Sequence, residues 1–269
     1  MNQFARLPDP ETRAAHDRAT TPRFGAFANQ YARFRPQYPE IIFSRLAMLV
    51  SPMPETCIEL GAGSGQATRS LLAQFHNVIA VEPDAEMAAL IPPSPRLQVR
   101  VEPAEDVDFA AHSADCVASA TAFHWMDAQL VCEKAAQWLK PNCPFYAFGY
   151  SSAQYPGAPQ SLIDAVQKHS RLWRTHMHNA LTGWRPYGEL LALSGVFRTI
   201  ESYEYYVDFN WTPDELAGFL LSTSYAQAFA AGVHDPEAYC KNVHADIGAA
   251  ARGHDVHVRF PIEVAWAKI

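Results

Sequence analysis

The sequence predicts an α/β fold: a mostly parallel sheet with helices on both faces. Two observations carry that reading. From Cys57 to Tyr150, short apolar runs alternate with helix-patterned segments, and the connections between them are short. The first run, Cys57–Leu60, enters the turn Gly61-Ala62-Gly63-Ser64-Gly65, and a helix follows with Ala67, Leu71 and Phe75 four apart on one face. Glycines let such a turn bend sharply and approach a ligand, and the new helix aims its free N–H groups into it.

Composition bounds the function. The chain has 269 residues, 49% of them hydrophobic, enough for one sizeable core rather than disorder. The net charge is −7 and the aromatic residues are not interleaved with basic runs, which argues against nucleic acid as a partner. No apolar run approaches the ~20 residues of a membrane helix. The N-terminal residues lack the apolar core of a signal peptide. Five cysteines form no C-x-x-C pair, and we expect reduced thiols in a cytoplasmic protein. The expected organisation is a loose leader over 1–22 and a single domain over 23–269. That domain has an N-terminal lid at 23–50 and a cap inserted at about 151–195.

Along the chain, Phe24 to Phe34 is expected as a helix stopped by Pro36, with Phe27, Tyr31 and Phe34 on one face. A second helix spans about Glu40 to Val50. After the glycine turn and its helix, Asn77–Val81 is a strand ending in Glu82, and Asp84 caps a short helix. Leu97–Val101 is a third strand and leads to Ala104-Glu105. Asp115–Ala120 is a fourth, and its exit loop reads Thr121-Ala122-Phe123-His124-Trp125. Asp127 caps the next helix, whose apolar face is Leu130, Val131, Ala135 and Trp138. Pro144–Tyr150 is a fifth strand. Ser151 to about Gly195 reads as a helical, aromatic-rich cap. Val196–Phe209 is a long strand. Thr212-Pro213-Asp214-Glu215 is a capping box that opens a helix through about Phe229. A polar, histidine-rich stretch follows, and His257–Ala267 is the last strand.

Ligands of such sheets bind at the carboxyl ends of the strands. The glycine turn, Glu82, Glu105 and His124 all fall there. Glycines spaced G-x-G-x-G, not G-x-G-x-x-G, argue against a nicotinamide dinucleotide. Glu82 closes the second strand, where a carboxylate meets the hydroxyls of a ribose. His176-Met177-His178 and His254-Asp255-Val256-His257 have poor ligand spacing, so no metal site is expected.

The stretches Ile58-Glu59-Leu60-Gly61-Ala62-Gly63-Ser64-Gly65, Val81-Glu82-Pro83-Asp84 and Leu139-Lys140-Pro141 together resemble class I methyltransferases dependent on S-adenosyl-L-methionine. Tyr31-(x3)-Arg35-Pro36-(x)-Tyr38-Pro39 and His124-Trp125 resemble the type 11 branch, which includes proteins similar to trans-aconitate and cantharidin methyltransferases. The resemblance implies a Rossmann-like, seven-stranded sheet closed by an antiparallel strand. It implies cofactor contacts from Tyr31, Arg35, Glu59, Gly61, Ala62, Gly63, Gly65, Glu82, Pro83, Ala104, Glu105 and Thr121. His124 then stands near the methyl donor as base or orienter, beside Trp125. Arg174, Trp184, Arg185, Tyr187 and Tyr225 are candidates for the substrate side. The implied reaction is methyl transfer to an oxygen of a small metabolite, with a carboxylate favoured over a hydroxyl. The alternative is a protein of the same fold that retains the cofactor as a cyclase, a pericyclase or a binding module. The sequence does not fix the oligomeric state.

Overall fold

A computed structural model describes residues 27–50, 52–177 and 184–269. The leader expected over 1–22 and His178 lie outside the described residues, as does the start of the first helix. The chain order is α1 (Ala28–Phe34), α2 (Glu40–Leu49), β1 (Thr56–Leu60), α3 (Thr68–Gln74), β2 (Asn77–Val81), α4 (Ala85–Ala88), β3 (Leu97–Arg100) and β4 (Cys116–Ala120). Then come α5 (Ala128–Trp138), β5 (Phe145–Tyr150), α6 (Gln160–Trp173), α7 (Tyr187–Leu193), β6 (Thr199–Trp211), α8 (Pro213–Leu221), α9 (Ser224–Ala231), α10 (Pro236–Ala250) and β7 (Val256–Lys268).

One seven-stranded sheet runs β3-β2-β1-β4-β5-β7-β6. The strands from β3 to β5 are parallel, and β7 is antiparallel to both β5 and β6. The order reverses between β1 and β4, so the crevice that such sheets use for ligands opens at the carboxyl ends of those two strands. β4 is made of small residues, Cys116-Val117-Ala118-Ser119-Ala120, which suits a strand flanked on both sides and covered on both faces.

Successive side chains point to opposite faces, and the two cores divide by that parity. Ile58, Leu60, Val117, Phe145 and Ala147 pack under α5 and α7 with Trp138 and Tyr187. Cys57, Val78, Cys116, Tyr146 and Phe148 pack on the other face with Ile42, Phe43 and Leu46 of α2 and with Leu71 and Phe75. A third cluster joins α6, α8, α9 and α10 over the start of β7, centred on Trp173, Leu216, Val243 and Phe260.

The caps expected at Asp84 and Asp127 are made: Asp84 accepts from the N–H groups of Glu86 and Met87, and Asp127 from that of Leu130. The capping box closes both ways, Glu215 N–H to Thr212 at 3.2 Å and Thr212 N–H to Glu215 at 2.8 Å. Three expectations are corrected, and one helix is added where none was named. The helix after Thr212 is two helices, broken at Ser222-Thr223, whose hydroxyls turn back to the carbonyls of Phe219 and Leu220. The histidine-rich stretch holds α10, started by Asp235 accepting from Ala238 N–H, with Pro236 in the first turn. The segment 151–159 is not helical but runs beside β7, with Gln154 bridged to Arg259. Leu130 does not join the buried face of α5; it is exposed on the cavity described below.

Candidate functional site

The glycine turn after β1 holds all three glycines at positive φ: 71° at Gly61, 59° at Gly63 and 87° at Gly65. Their reasons differ. A side chain on Gly61 would meet the Ala122 Cβ at 2.4 Å, so this glycine lets the β1 and β4 exits touch. Gly65 is hemmed in by Ile91 and Pro92 at 3.2–3.3 Å and does not line the cavity. Gly63 has nothing closer than Met87 at 3.6 Å and does line it, so this is the position where the backbone is bared to a ligand.

Glu82 lines the same cavity and braces the turn: its carboxylate accepts from Gly63 N–H at 2.8 Å and from Asp84 N–H at 3.0 Å. Burial raises its pKa against the pull of those two bonds. Glu59 is fully buried behind the turn and does not line the cavity. Thr68 donates to its Oε2 at 2.6 Å, and its Oε1 has no partner among the described residues. Burial lifts the Glu59 carboxyl to about 8. Ala104, Pro83 and Glu105 also line the cavity, but the Glu105 carboxylate accepts from Asp127 N–H at 2.9 Å and so ties the β3 exit to α5.

Tyr31, Arg35, Pro36 and Tyr38, from the segment expected as a lid, line one end. Arg35 follows α1 and lies over the rings of Tyr31 (4.7 Å) and Phe219 (5.5 Å). It donates to the Ser222 carbonyl at 3.2 Å, while its Nε is buried without a partner among the described residues. No described carboxylate pairs with it, and it is the single cation among the described residues lining the cavity. Its position in the lid fits a group that receives an anion. Tyr38 stacks on Tyr150 at 4.9 Å, and its hydroxyl meets the Thr121 hydroxyl at 2.6 Å. Thr121 itself sits at φ 51°, a strained setting for a β-branched residue. These two tyrosines line the site together with Met126, Gln129 and Glu133. Sequence reasoning assigned none of the five a role, although Tyr38 stands inside the Arg35-Pro36-Gln37-Tyr38-Pro39 stretch.

His124 and Trp125 form one turn of 3-10 helix at the β4 exit, and Trp125 lines the cavity. His124 Nδ1 lies 3.2 Å from the Tyr187 hydroxyl. Burial, with the Arg35 charge adding to it, lowers the His124 pKa to about 4, so the imidazole is neutral at pH 7. The remaining candidates lie elsewhere. Arg174 is exposed at the end of α6, Arg185 pairs with Glu189, Trp184 is exposed, and Tyr225 packs near Trp173. None of the four lines the cavity, nor does His124 itself, and Tyr187 is buried behind it. Among the described residues, no three His, Cys, Asp or Glu side chains gather as a metal site would require. No described helix is long and apolar enough to cross a membrane.

The cavity has a volume of about 600 Å³, within the range of small-molecule sites. Its glycine-turn end would take a nucleoside and its lid end an acid. Residues 58–147 match the family model of the methyltransferase domain. Two curated relatives are an uncharacterized methyltransferase of Mycobacterium bovis, 30% identical over 44% of this chain and 48% of its own, and a "probable S-adenosylmethionine-dependent methyltransferase", CRG1 of Saccharomyces cerevisiae, 24% identical over 49% and 48%. The chain spans about half the length of the curated relatives it matches. A solved structure from Anaeromyxobacter dehalogenans, given as "a putative type II methyltransferase", is 25% identical, covers 87% of this chain and 98% of its own, and superposes with a TM-score of 0.70. The sheet is therefore Rossmann-like in the manner of its methyltransferase neighbour, and residues 58–147 match a methyltransferase domain.

Proposed function

We propose that this protein transfers a methyl group from S-adenosyl-L-methionine to an oxygen of a small metabolite, with one carboxylate on a partly apolar body as the acceptor. The observation that carries the first half is the cradle: Gly63 bared to the cavity, Glu82 beside it, and the unpaired Arg35 Nε at the lid end. These residues fit the cofactor, with Glu82 toward the ribose and Arg35 toward the methionyl carboxylate. When bound, the sulfonium supplies a methyl group already activated for displacement. The chain's own residues then need to align the acceptor and exclude water.

The acceptor half rests on His124, which stands next to the cavity-lining Trp125 without lining the cavity itself. A group with a pKa of about 4 is a poor base at pH 7, so it suits an acceptor oxygen that is already ionised better than a hydroxyl that must lose a proton. The apolar body would lie on Trp125, Met126 and Leu130. Five acids, Glu82, Asp84, Glu105, Asp127 and Glu133, line the same cavity, and they disfavour an acceptor with several carboxylates. The five thiols are unpaired, which fits a reducing, cytoplasmic setting.

The test is native mass spectrometry of the purified protein, followed by incubation with labelled S-adenosyl-L-methionine and a panel of monocarboxylic acids, phenols and alcohols. Retained cofactor and a base-labile methyl ester are expected. Labelled ethers alone would move the acceptor to a hydroxyl. Binding of the cofactor without transfer to any acceptor would favour a cyclase or a binding module on this scaffold.

A further inference from the structure

We infer that Tyr187 is a positioning residue: its hydroxyl donates to His124 Nδ1, fixes the imidazole in the Nε2–H tautomer, and so leaves His124 a hydrogen-bond donor at the β4 exit rather than a base. The inference deepens the methyl-transfer reading of this cavity and rests on it.

Tyr187 is 3% exposed, and its hydroxyl has one partner among the described residues, His124 Nδ1 at 3.2 Å. The direction of that bond follows from the hydroxyl's needs. Burial raises the Tyr187 pKa, so the phenol keeps its proton. If Nδ1 carried a hydrogen and donated to the phenol oxygen, the buried O–H would be left without an acceptor, at a cost of about 1–3 kcal/mol. With Tyr187 donating, both groups are satisfied. A neutral imidazole with its lone pair on Nδ1 must carry its hydrogen on Nε2. That nitrogen has no partner among the described residues and is not sealed off from solvent.

The surroundings hold Tyr187 to this task. Gly149 of β5 has an ordinary negative φ, yet a Cβ there would stand 2.6 Å from the Tyr187 hydroxyl and 3.0 Å from the Thr121 hydroxyl. The glycine is there for space, as glycines inside strands often are. Glu263 of β7 accepts from Gly188 N–H at 3.1 Å and caps the start of α7, where no side chain of the helix's own N-terminus does so. Phe123 packs beside the ring, centroid to centroid 6.2 Å, and is itself backed by Phe145. Strand β5 thus leaves room for the hydroxyl, and strand β7 holds the start of the helix that carries it.

A donor at Nε2 favours an oxygen anion near the β4 exit, which matches an acceptor that arrives ionised. The experiment is a long-range proton–nitrogen correlation spectrum of protein labelled with nitrogen-15 histidine at pH 7, with the His124 signals identified by their loss in His124→Gln. The expected wild-type pattern is Nε2 protonated and Nδ1 bare. In Tyr187→Phe both ring nitrogens should shift toward the averaged, mixed-tautomer position. A wild-type ring protonated at Nδ1, or at both nitrogens, would overturn the inference whether or not Tyr187→Phe folds. An unchanged tautomer in Tyr187→Phe would overturn it too. The readout needs no turnover, so it stands or falls apart from the identity of the acceptor.

Discussion

At the scale of single residues, the site separates groups that face the ligand from groups that hold the turn. Gly61 and Gly63 make the contrast. Gly61→Ala adds both a 2.4 Å clash and an unfavourable φ, and should cost several kcal/mol of stability, about 1–2 of them from the backbone alone. Gly63→Ala meets no clash and should lose only about 1–2 kcal/mol, yet it should weaken cofactor binding at least tenfold, because its Cβ enters the cavity. Denaturant midpoints and titration calorimetry on the two variants separate these outcomes. Glu59 adds a pH dependence. Its folded-state carboxyl sits at about 8, well above the ~4.3 of an unfolded chain. The folded state thus keeps a proton that the unfolded state loses. The stability contribution is full below pH ~4 and is lost as pH rises toward 8. Glu59→Gln should therefore match the wild type near pH 5 and exceed it by about 1–3 kcal/mol at pH 8.5. Parallel pH slopes in the two proteins would contradict this origin.

Residues tied to a local spacing were legible from the sequence. Gly63, Glu82 and Arg35 stand at short, fixed distances from a strand end or a helix end, and all three reach the cavity. Gly149, Tyr187 and Glu263 were not legible in these roles. They meet through a sheet register and a helix cap that join positions 38 to 114 residues apart, and no local pattern records such a meeting. The cap arginines illustrate the converse. Their chemistry suited an acid, but Arg185 is taken by Glu189 and Arg174 faces solvent.

At the scale of elements, alternation of strand and helix was readable through β5 because each strand is a short apolar run bounded by turn residues. Helix α10 was hidden by its polar composition, although Asp235-Pro236 is a start signal and Tyr239, Val243 and Ile247 recur every four residues. The lid depends on one element contact that sequence could not show. Gly218 of α8 leaves room for the Phe34 ring, and a Cβ there would stand 2.3–2.5 Å from it. In an isolated helix Gly→Ala gains about 1 kcal/mol. Here Gly218→Ala should instead push out Phe34 and with it Arg35, raising the cofactor dissociation constant about tenfold while the melting temperature moves by only a few degrees. Tighter or unchanged binding in this variant would show that the lid docks by other means.

At the scale of the whole molecule, the sheet order brings the β1 turn, the β2 carboxylate and the β4 exit to one edge, and the lid and the aromatic pair Tyr38–Tyr150 close over it. The separate core of α6, α8, α9 and α10 supplies the helix on which the lid rests. The architecture thus joins a cofactor cradle set by local sequence to an acceptor end set by tertiary packing. The most direct test of the central claim is calorimetric titration of the purified full chain with S-adenosyl-L-methionine, its demethylated product and NADH, each repeated on Glu82→Gln. One site per chain, with a dissociation constant on the order of micromolar for the first two ligands, no heat for NADH, and a loss of at least tenfold in the variant is the result expected. Saturable binding of NADH without binding of either sulfur ligand would contradict it.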